Sequence, residues 1–218
     1  MPNDGDMSGG ASASIDDFRM RVAAECIRPA LHDANNHLGI ASANAELAQL
    51  GGEITTRLET VVVSIEQCSA VIERLAPLVR DLPAAPYSFA LHDSIYHALK
   101  LRHYSLKIKG IAVTQDARAI EAAMCRGYPA LATAVFAAVL IHLEYMGTDG
   151  ISLRGRMEDG RVILDWEAFG GEEGCVHAAR APGLLDNLDT ANACLATGDG
   201  RISATSNGYC IRFQVAAE

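Results

Sequence analysis

The first part of the chain carries an apolar seam, a row of hydrophobic residues that recurs along one side of a helix. Its members are spaced alternately four and three residues apart and are Ile27, Leu31, Ala34, Leu38, Ala41, Ala45 and Ala48. A second seam with the same alternation follows Gly51-Gly52 and consists of Ile54, Leu58, Val61, Ile65, Cys68, Ile72, Leu75 and Val79. This spacing is that of a coiled coil, and paired glycines favour a tight turn. We therefore predict an antiparallel helical hairpin over residues 13–82.

Each seam is apolar along its whole length, although one helix of a hairpin covers only part of its neighbour's seam. Pairing with a second hairpin would bury the rest, at about 25 cal/mol per Å² of apolar surface. We therefore expect two chains to form an intermolecular four-helix bundle, that is, a homodimer. The alternative is that the hairpin packs on the rest of its own chain.

The remainder of the chain lacks the continuous seam and has other patterns. Residues 1–12 are rich in Gly, Ser and Asp and predict a flexible tail, and the proline-containing residues 83–87 predict a linker. Residues 88–218 predict a mixed domain with one sheet covered by helices on one face. Helices are expected at 88–102, 129–146 and 184–196. Strands are expected at 106–114, 151–157, 161–166, 201–206 and 209–215. The fold class is therefore α+β, a helical hairpin followed by an α/β sandwich.

Composition excludes several classes of protein. The 218 residues carry a net charge of -9, which disfavours nucleic acid as a partner. The start lacks the features of a secretory signal, and the longest apolar run, 130–141, is too short for a bilayer, so we expect a cytoplasmic protein without membrane contact. The six cysteines lie at least sixteen positions apart, which disfavours a zinc site or a dithiol redox centre. No metal site is expected on this chain.

The candidate chemistry lies in the first predicted helix. His32 flanks the seam, Asn36 lies one turn further on and Arg28 one turn before. The carboxylate of the adjacent Asp33 would hold Nδ1–H of the imidazole and leave Nε2 as a nucleophile. Judged on spacing alone, the alternative is an ordinary solvated histidine.

The pattern His32-Asp33-x-x-Asn36 resembles the H-box of bacterial two-component histidine kinases, which opens their dimerisation and histidine-phosphotransfer hairpin. The C-terminal part resembles the ATPase-type domain of those kinases in its order of elements. Its closing segment, 195–215, is similar to the last helix and strand hairpin of that fold. The resemblance spans about residues 15–215.

The sequence departs from the kinases at the nucleotide site. No asparagine occurs between Asn44 and Asn187, and Ala137, Ile141 and His142 occupy the region of the family's asparagine box. Phe169 stands where a glycine would let the backbone approach adenine, and the second glycine-rich box is reduced to residues 181–185. The resemblance therefore implies a degenerate ATPase-like domain that does not bind ATP.

An intact H-box on a degenerate domain resembles the bacterial histidine phosphotransferases of the ChpT type. That resemblance implies that His32 relays a phosphoryl group between receiver-domain aspartates, that Asp33 orients the imidazole, and that Asn36 aligns water for receiver dephosphorylation. The implied partners are response-regulator receiver domains and a hybrid histidine kinase, with Mg²⁺ held by the receiver and no cofactor on this chain. Receiver contacts are expected at Arg28, Asn35, Gly39 and Ala43.

Two other functions remain open at this stage. The chain could be a diverged histidine kinase, or an adaptor or phosphatase that only binds a receiver. A basic cluster of Lys100, Arg102, Lys107 and Lys109 is expected to be a solvated helix end, with a receiver-docking surface as the alternative.

Overall fold

The computed structural model of the protein describes residues 8–51, 53–170 and 182–216, without the side chains of residues 8–13. Helix α1 (Ser8–Gln49) and helix α2 (Ile54–Val79) form the predicted hairpin, with Ala34, Cys68 and Val71 buried between them. The expected tail is wrong for residues 8–12, which belong to α1. Extending an existing helix costs far less than nucleating one, so a Gly- and Ser-containing stretch joins the helix that follows it. Residues 1–7 lie outside the described part.

An α/β domain follows the hairpin, which confirms the predicted order of architecture. Its helices are α3 (Leu91–Ile108), α4 (Pro129–Tyr145) and α5 (Leu188–Leu195). Its strands are β1 (Tyr87–Ala90), β2 (Ala112–Asp116), β3 (Met124–Gly127), β4 (Gly150–Glu158), β5 (Arg161–Phe169), β6 (Arg201–Ala204) and β7 (Gly208–Gln214). Among the described residues, one sheet has the order β2-β4-β5-β7-β6, parallel only between β2 and β4, and β1 pairs with β3 in a separate antiparallel ribbon.

The beginning of this domain differs from the prediction. Residues 88–90 are strand rather than helix because Phe89 is buried in the core and β1 pairs with β3. Helix α3 continues to Ile108, so the strand predicted at 106–114 begins only at Ala112. Gly110, with φ of +69°, ends the helix in a conformation that glycine adopts without strain. Because β1 begins at Tyr87, the linker ends one residue earlier than expected, at Pro86. The helix predicted at 184–196 is shorter, because the Asn187 side chain caps α5 by accepting from Asp189 N.

Helix α4 forms the centre of the core. Its residues from Leu131 to Ile141 are all buried, which is why its sequence is apolar on every side. It packs between α3 and the sheet, where the Phe136 ring lies 6.0 Å from that of Trp166. The N-terminal half of α1 joins the same core through Phe18, Val22, Ala23 and Cys26. Helix α1 therefore belongs to both the hairpin and the α/β domain.

A buried ion pair ties α1, α3 and α4 together. Arg102 Nε and Nη2 donate to the two carboxylate oxygens of Glu144 at 2.7 and 2.8 Å. Arg102 Nη1 donates to the carbonyl of Glu25 on α1 at 2.9 Å. That carbonyl is free because Pro29, four residues on, lacks the N–H that would bond to it within the helix. The expectation of a solvated helix end is thus wrong for Arg102, which is 3% exposed.

The charge of Glu144 stabilises the protonated form of Arg102. Burial alone would lower the pKa of Arg102, but the hydrogen bonds and charge of Glu144 raise it above its ordinary value. Ser105 and Lys109 also donate to Glu144, at 2.7 and 3.2 Å, so the carboxylate is well supplied with donors.

The described cysteines behave as small core residues. All five are buried free thiols, and burial raises the pKa of Cys125 and Cys194 to about 12. Cys175 lies outside the described residues. Within the described ranges, no helix combines the length and apolar character needed to cross a bilayer.

We predict that Glu144→Gln destabilises the chain by about 3–5 kcal/mol, because it leaves the guanidinium of Arg102 buried without its counter-charge. Urea unfolding at fixed protein concentration measures the loss.

Glu158→Gln is the matched control, since Glu158 forms an exposed pair with Arg156 at 3.8 Å. It should change the unfolding free energy by less than about 1 kcal/mol. Equal losses of unfolding free energy from the two substitutions would show that the buried pair contributes no more to stability than the exposed one.

Candidate functional site

His32 lies near the middle of α1, where this helix passes α3. The imidazole is exposed, and it stacks beside the half-buried ring of Tyr104 on α3. The two ring centroids are 4.8 Å apart and the planes are tilted by 31°. The candidate nucleophile is therefore accessible on the side of a helix, with one face of its ring covered by a side chain from the α/β domain.

Tyr104 and Asn36 hold the Nδ1 side of the imidazole. The Tyr104 hydroxyl is hydrogen-bonded to His32 Nδ1 and lies 3.4 Å from Nε2. Asn36 Nδ2 lies 3.2 Å from His32 Nδ1 and donates to the Tyr104 hydroxyl at 3.3 Å. Asn36 thus lies one helical turn from His32, as its spacing predicts. The three polar groups form a closed triangle on one edge of the ring.

Asp33 does not have the contact expected from its position next to His32. Its carboxylate pairs instead with His37 Nε2 at 3.6 Å and with Arg74 Nη1 of α2 at 3.7 Å. Consecutive helical residues point about 100° apart, so adjacency in sequence does not bring two side chains together. The expected orienting role of Asp33 is corrected accordingly: the carboxylate links the two helices of the hairpin, and Tyr104 and Asn36 contact the imidazole.

An open groove of about 620 Å³ lies between α1 and α3 beside His32. Its lining includes Arg28 from α1 and Lys109 from the end of α3, together with Glu25 and the ring of Tyr145. Lys109 Nζ lies 4.6 Å from the centre of that ring. The groove thus brings two cationic side chains to the same surface depression as the exposed imidazole.

The proposed receiver contacts all lie on the exposed surface of α1. Arg28 lines the groove with His32. Asn35, Gly39 and Ala43 follow at intervals of four and share one side of the helix. Nothing lies within 4 Å of the position that a Cβ on Gly39 would take, so this side is open. The structure places these residues on the exposed surface of α1, and their contact with a receiver stays a prediction.

Half of each apolar seam is exposed. Ala34 and Ala41 of the first seam and Cys68 of the second are buried within the hairpin. The alternate members are about half exposed, namely Leu31 and Leu38 on α1 and Leu58, Ile65, Ile72 and Val79 on α2. We call these six residues the outer stripe. The hairpin therefore carries an uncovered row of large apolar side chains along both helices.

The region that resembles the asparagine box is apolar and closed. Ala137 and Ile141 are fully buried in α4. The His142 ring packs edge-on against Tyr209 at 5.6 Å, and burial lowers its pKa, partly offset by the charge of Asp186. The Phe169 ring lies directly over Gly150, where an added Cβ would clash with it. Residues 171–181, which include the first residue of the reduced glycine-rich box at 181–185, lie outside the described residues.

No cluster of three or more metal-ligating side chains is found in the part of the chain that the structure describes. Sequence reasoning missed Tyr104, which is 72 residues from His32 and carries no local motif. The signal that could have found Tyr104 is its position two residues after Arg102 on α3, because the buried side of this helix must pack against another element.

Comparison with known proteins gives distant structural similarities. No family model and no curated protein matches the sequence. The histidine kinase AdeS of Acinetobacter baumannii matches at 14% identity and a TM-score of 0.44, covering 85% of this chain and 98% of its own. The catalytic domain of histidine kinase ThkA matches at 13% and 0.47, covering 60% and 94%. A structure described as a bacterial phosphotransferase matches at 12% and 0.41, covering 88% and 95%. Because every one of these TM-scores is below 0.5, we rest no conclusion on them.

We predict that Asp33 and Arg74 are energetically coupled across the hairpin. Asp33→Asn and Arg74→Gln should each destabilise the chain slightly, and the double variant should lose less than the sum, with a coupling of about 0.2–1 kcal/mol. Urea unfolding of the four proteins closes the cycle. Strict additivity would mean that the pair contributes nothing.

Proposed function

We propose that the chain is a histidine phosphotransferase of a two-component relay. In this proposal His32 accepts a phosphoryl group from the aspartate of one receiver domain and passes it to another. The observation that carries the proposal is the exposed imidazole of His32, which is hydrogen-bonded at Nδ1 to Tyr104 and opens beside a groove with Arg28 and Lys109.

The chemistry is an in-line displacement. The lone pair of His32 Nε2 attacks the phosphorus of the receiver's aspartyl phosphate, and the N–P bond forms as the P–O bond to the aspartate breaks. The electron pair of that bond returns to the aspartate, which leaves as a carboxylate. Such a step depends on positioning and charge neutralisation, which a rigid helix and nearby cations supply. Mg²⁺ would belong to the acidic pocket of the receiver.

The α/β domain supports a receiver rather than ATP as the phosphoryl source. Positions 137 and 141 of α4 are buried alanine and isoleucine, which offer no ligand to a nucleotide-bound metal. Phe169 adds an aromatic ring where the kinases have glycine. We propose that this domain serves as a scaffold that packs against α1 beside His32.

We further propose that two chains form a four-helix bundle through the outer stripe. The stripe repeats every seven residues from Leu58 to Val79 and lies on both helices, as expected for a second hairpin of the same kind. A monomer would leave these side chains in water along the full length of α2. His32 lies beside Leu31 of the stripe, so the bundle would leave its groove side free for a receiver.

We predict that phosphoryl transfer requires His32. Receiver domains from the same genome, each labelled with ³²P by its own kinase, are mixed with the wild-type protein, and at least one should pass its label within minutes. His32→Ala should abolish labelling, because the nucleophile is gone. The label should be acid-labile and map to His32 by peptide analysis.

His37→Ala is the matched control, since it removes the neighbouring imidazole of α1 and should retain the label. Transfer that survives His32→Ala would refute the acceptor assignment and favour an adaptor. Label on His32 after incubation with ATP alone would establish a diverged kinase. Loss of receiver dephosphorylation alone in Asn36→Ala would favour the phosphatase.

We predict a mass of about twice 23.2 kDa by light scattering. Ile65→Glu should shift the protein to monomer, because it puts a charge into the apolar interface. Gln67→Glu adds a similar charge on the far side of α2 and should leave the mass unchanged. A monomeric wild type would refute the bundle.

A further inference from the structure

Among the described residues, Tyr104 is the one side chain of the α/β domain that lies within hydrogen-bond distance of the His32 imidazole. We propose that Tyr104 is a positioning residue, which accepts Nδ1–H of His32 and so selects the tautomer whose Nε2 is free to attack. This inference deepens the proposed function and rests on it for the catalytic consequence. The tautomer itself is a property of the unphosphorylated chain.

The proton arrangement follows from counting donors and acceptors. A neutral imidazole has one N–H and one bare nitrogen. If Nδ1–H donates to the Tyr104 oxygen, Nε2 keeps its lone pair. Asn36 Nδ2, 3.2 Å from Nδ1, is then also a donor, so it bonds to the Tyr104 oxygen alone, at 3.3 Å. If the phenol instead donates to Nδ1, Nε2 carries the proton and has no lone pair with which to form an N–P bond. Only the first arrangement supports transfer.

The carboxylate of Asp33, which was expected to accept Nδ1–H of His32, contacts other residues instead. Asp33 pairs with His37 on α1 and, across the hairpin, with Arg74 on α2. The Tyr104 phenol therefore takes the place of a carboxylate as the acceptor for Nδ1–H, and Asn36 donates to the phenol oxygen. The phenol is uncharged, so it orients the ring without adding negative charge where an anionic phosphoryl group must approach.

The buried ion pair fixes the helix that carries Tyr104. Arg102 and Ser105 on the same turn of α3 contact Glu144, and Arg102 also bonds to the Glu25 carbonyl of α1. These contacts fix α3 against the very helix that carries His32. As the N–P bond forms, the ring becomes cationic and Nδ1–H becomes a stronger donor to the Tyr104 oxygen. The contact therefore stabilises the transition state more than the ground state.

The test measures the tautomer directly. The unphosphorylated chain is labelled with ¹⁵N-histidine and studied at a pH above the ordinary titration range of an imidazole. There, long-range ¹H–¹⁵N NMR distinguishes a protonated Nε2 from a bare one. The wild type should show a proton on Nδ1. Tyr104→Phe keeps the ring and removes the hydroxyl, so the Nε2–H form should rise, and transfer from a labelled receiver should slow about tenfold.

Tyr96→Phe is the matched control, since Tyr96 lies two turns earlier on α3 and its exposed ring contacts His92, His97 and Lys100 rather than His32. It should change neither the tautomer nor the rate. Thermal unfolding of both variants checks that they are folded.

Three outcomes would overturn the proposal: a wild type with Nε2–H, a Tyr104→Phe variant with an unchanged tautomer, or a slowed rate without a tautomer change, which would indicate a packing role. The NMR result needs no phosphoryl donor. If no receiver labels His32, the proposed function fails, while the spectra of the wild type and Tyr104→Phe still decide whether Tyr104 sets the tautomer.

Discussion

The buried pair of Arg102 and Glu144 is the contact on which the arrangement of this molecule depends. Taking two charges out of water is costly, and an apolar pair of the same size would pack with less penalty. The pair instead fixes how the three helices are placed relative to one another. Three N–H donors of Arg102, together with Ser105 and Lys109, converge on one carboxylate and one carbonyl, so α3, α4 and α1 meet in a single register. A purely apolar contact could slide along α1, and this one cannot.

That register matters because the candidate site is assembled from two parts of the fold. His32, Asn36 and Arg28 come from α1, whereas Tyr104 and Lys109 come from α3. Neither helix alone holds the imidazole and lines the groove. The α/β domain thus contributes the side chain that contacts the His32 ring on a neighbouring helix. Leu31 and Leu38 of the same helix α1 remain about half exposed.

Sequence patterns predicted the hairpin and most of the α/β elements because periodicity is a local property. Every step of the two seams can be counted along the chain, and the turns at Asp159-Gly160 and Asn207-Gly208 have short signatures. Strands β1 and β3 escaped because four residues hold too little pattern, and their pairing joins segments more than thirty residues apart. Asp33 was misplaced because sequence neighbours were treated as spatial neighbours. Arg102 and Tyr104 were missed because only tertiary packing decides which residues of an amphipathic helix are covered.

Pro29 shows how an irregularity in a helix serves as an attachment point. Its ring leaves one main-chain oxygen of α1 without the usual amide partner, and the guanidinium of Arg102 takes it. Because that acceptor belongs to the polypeptide backbone, evolution can vary the side chain at position 25 and keep the joint intact. The pyrrolidine at position 29 has no such latitude: any other residue would restore a competing amide hydrogen three residues before the imidazole.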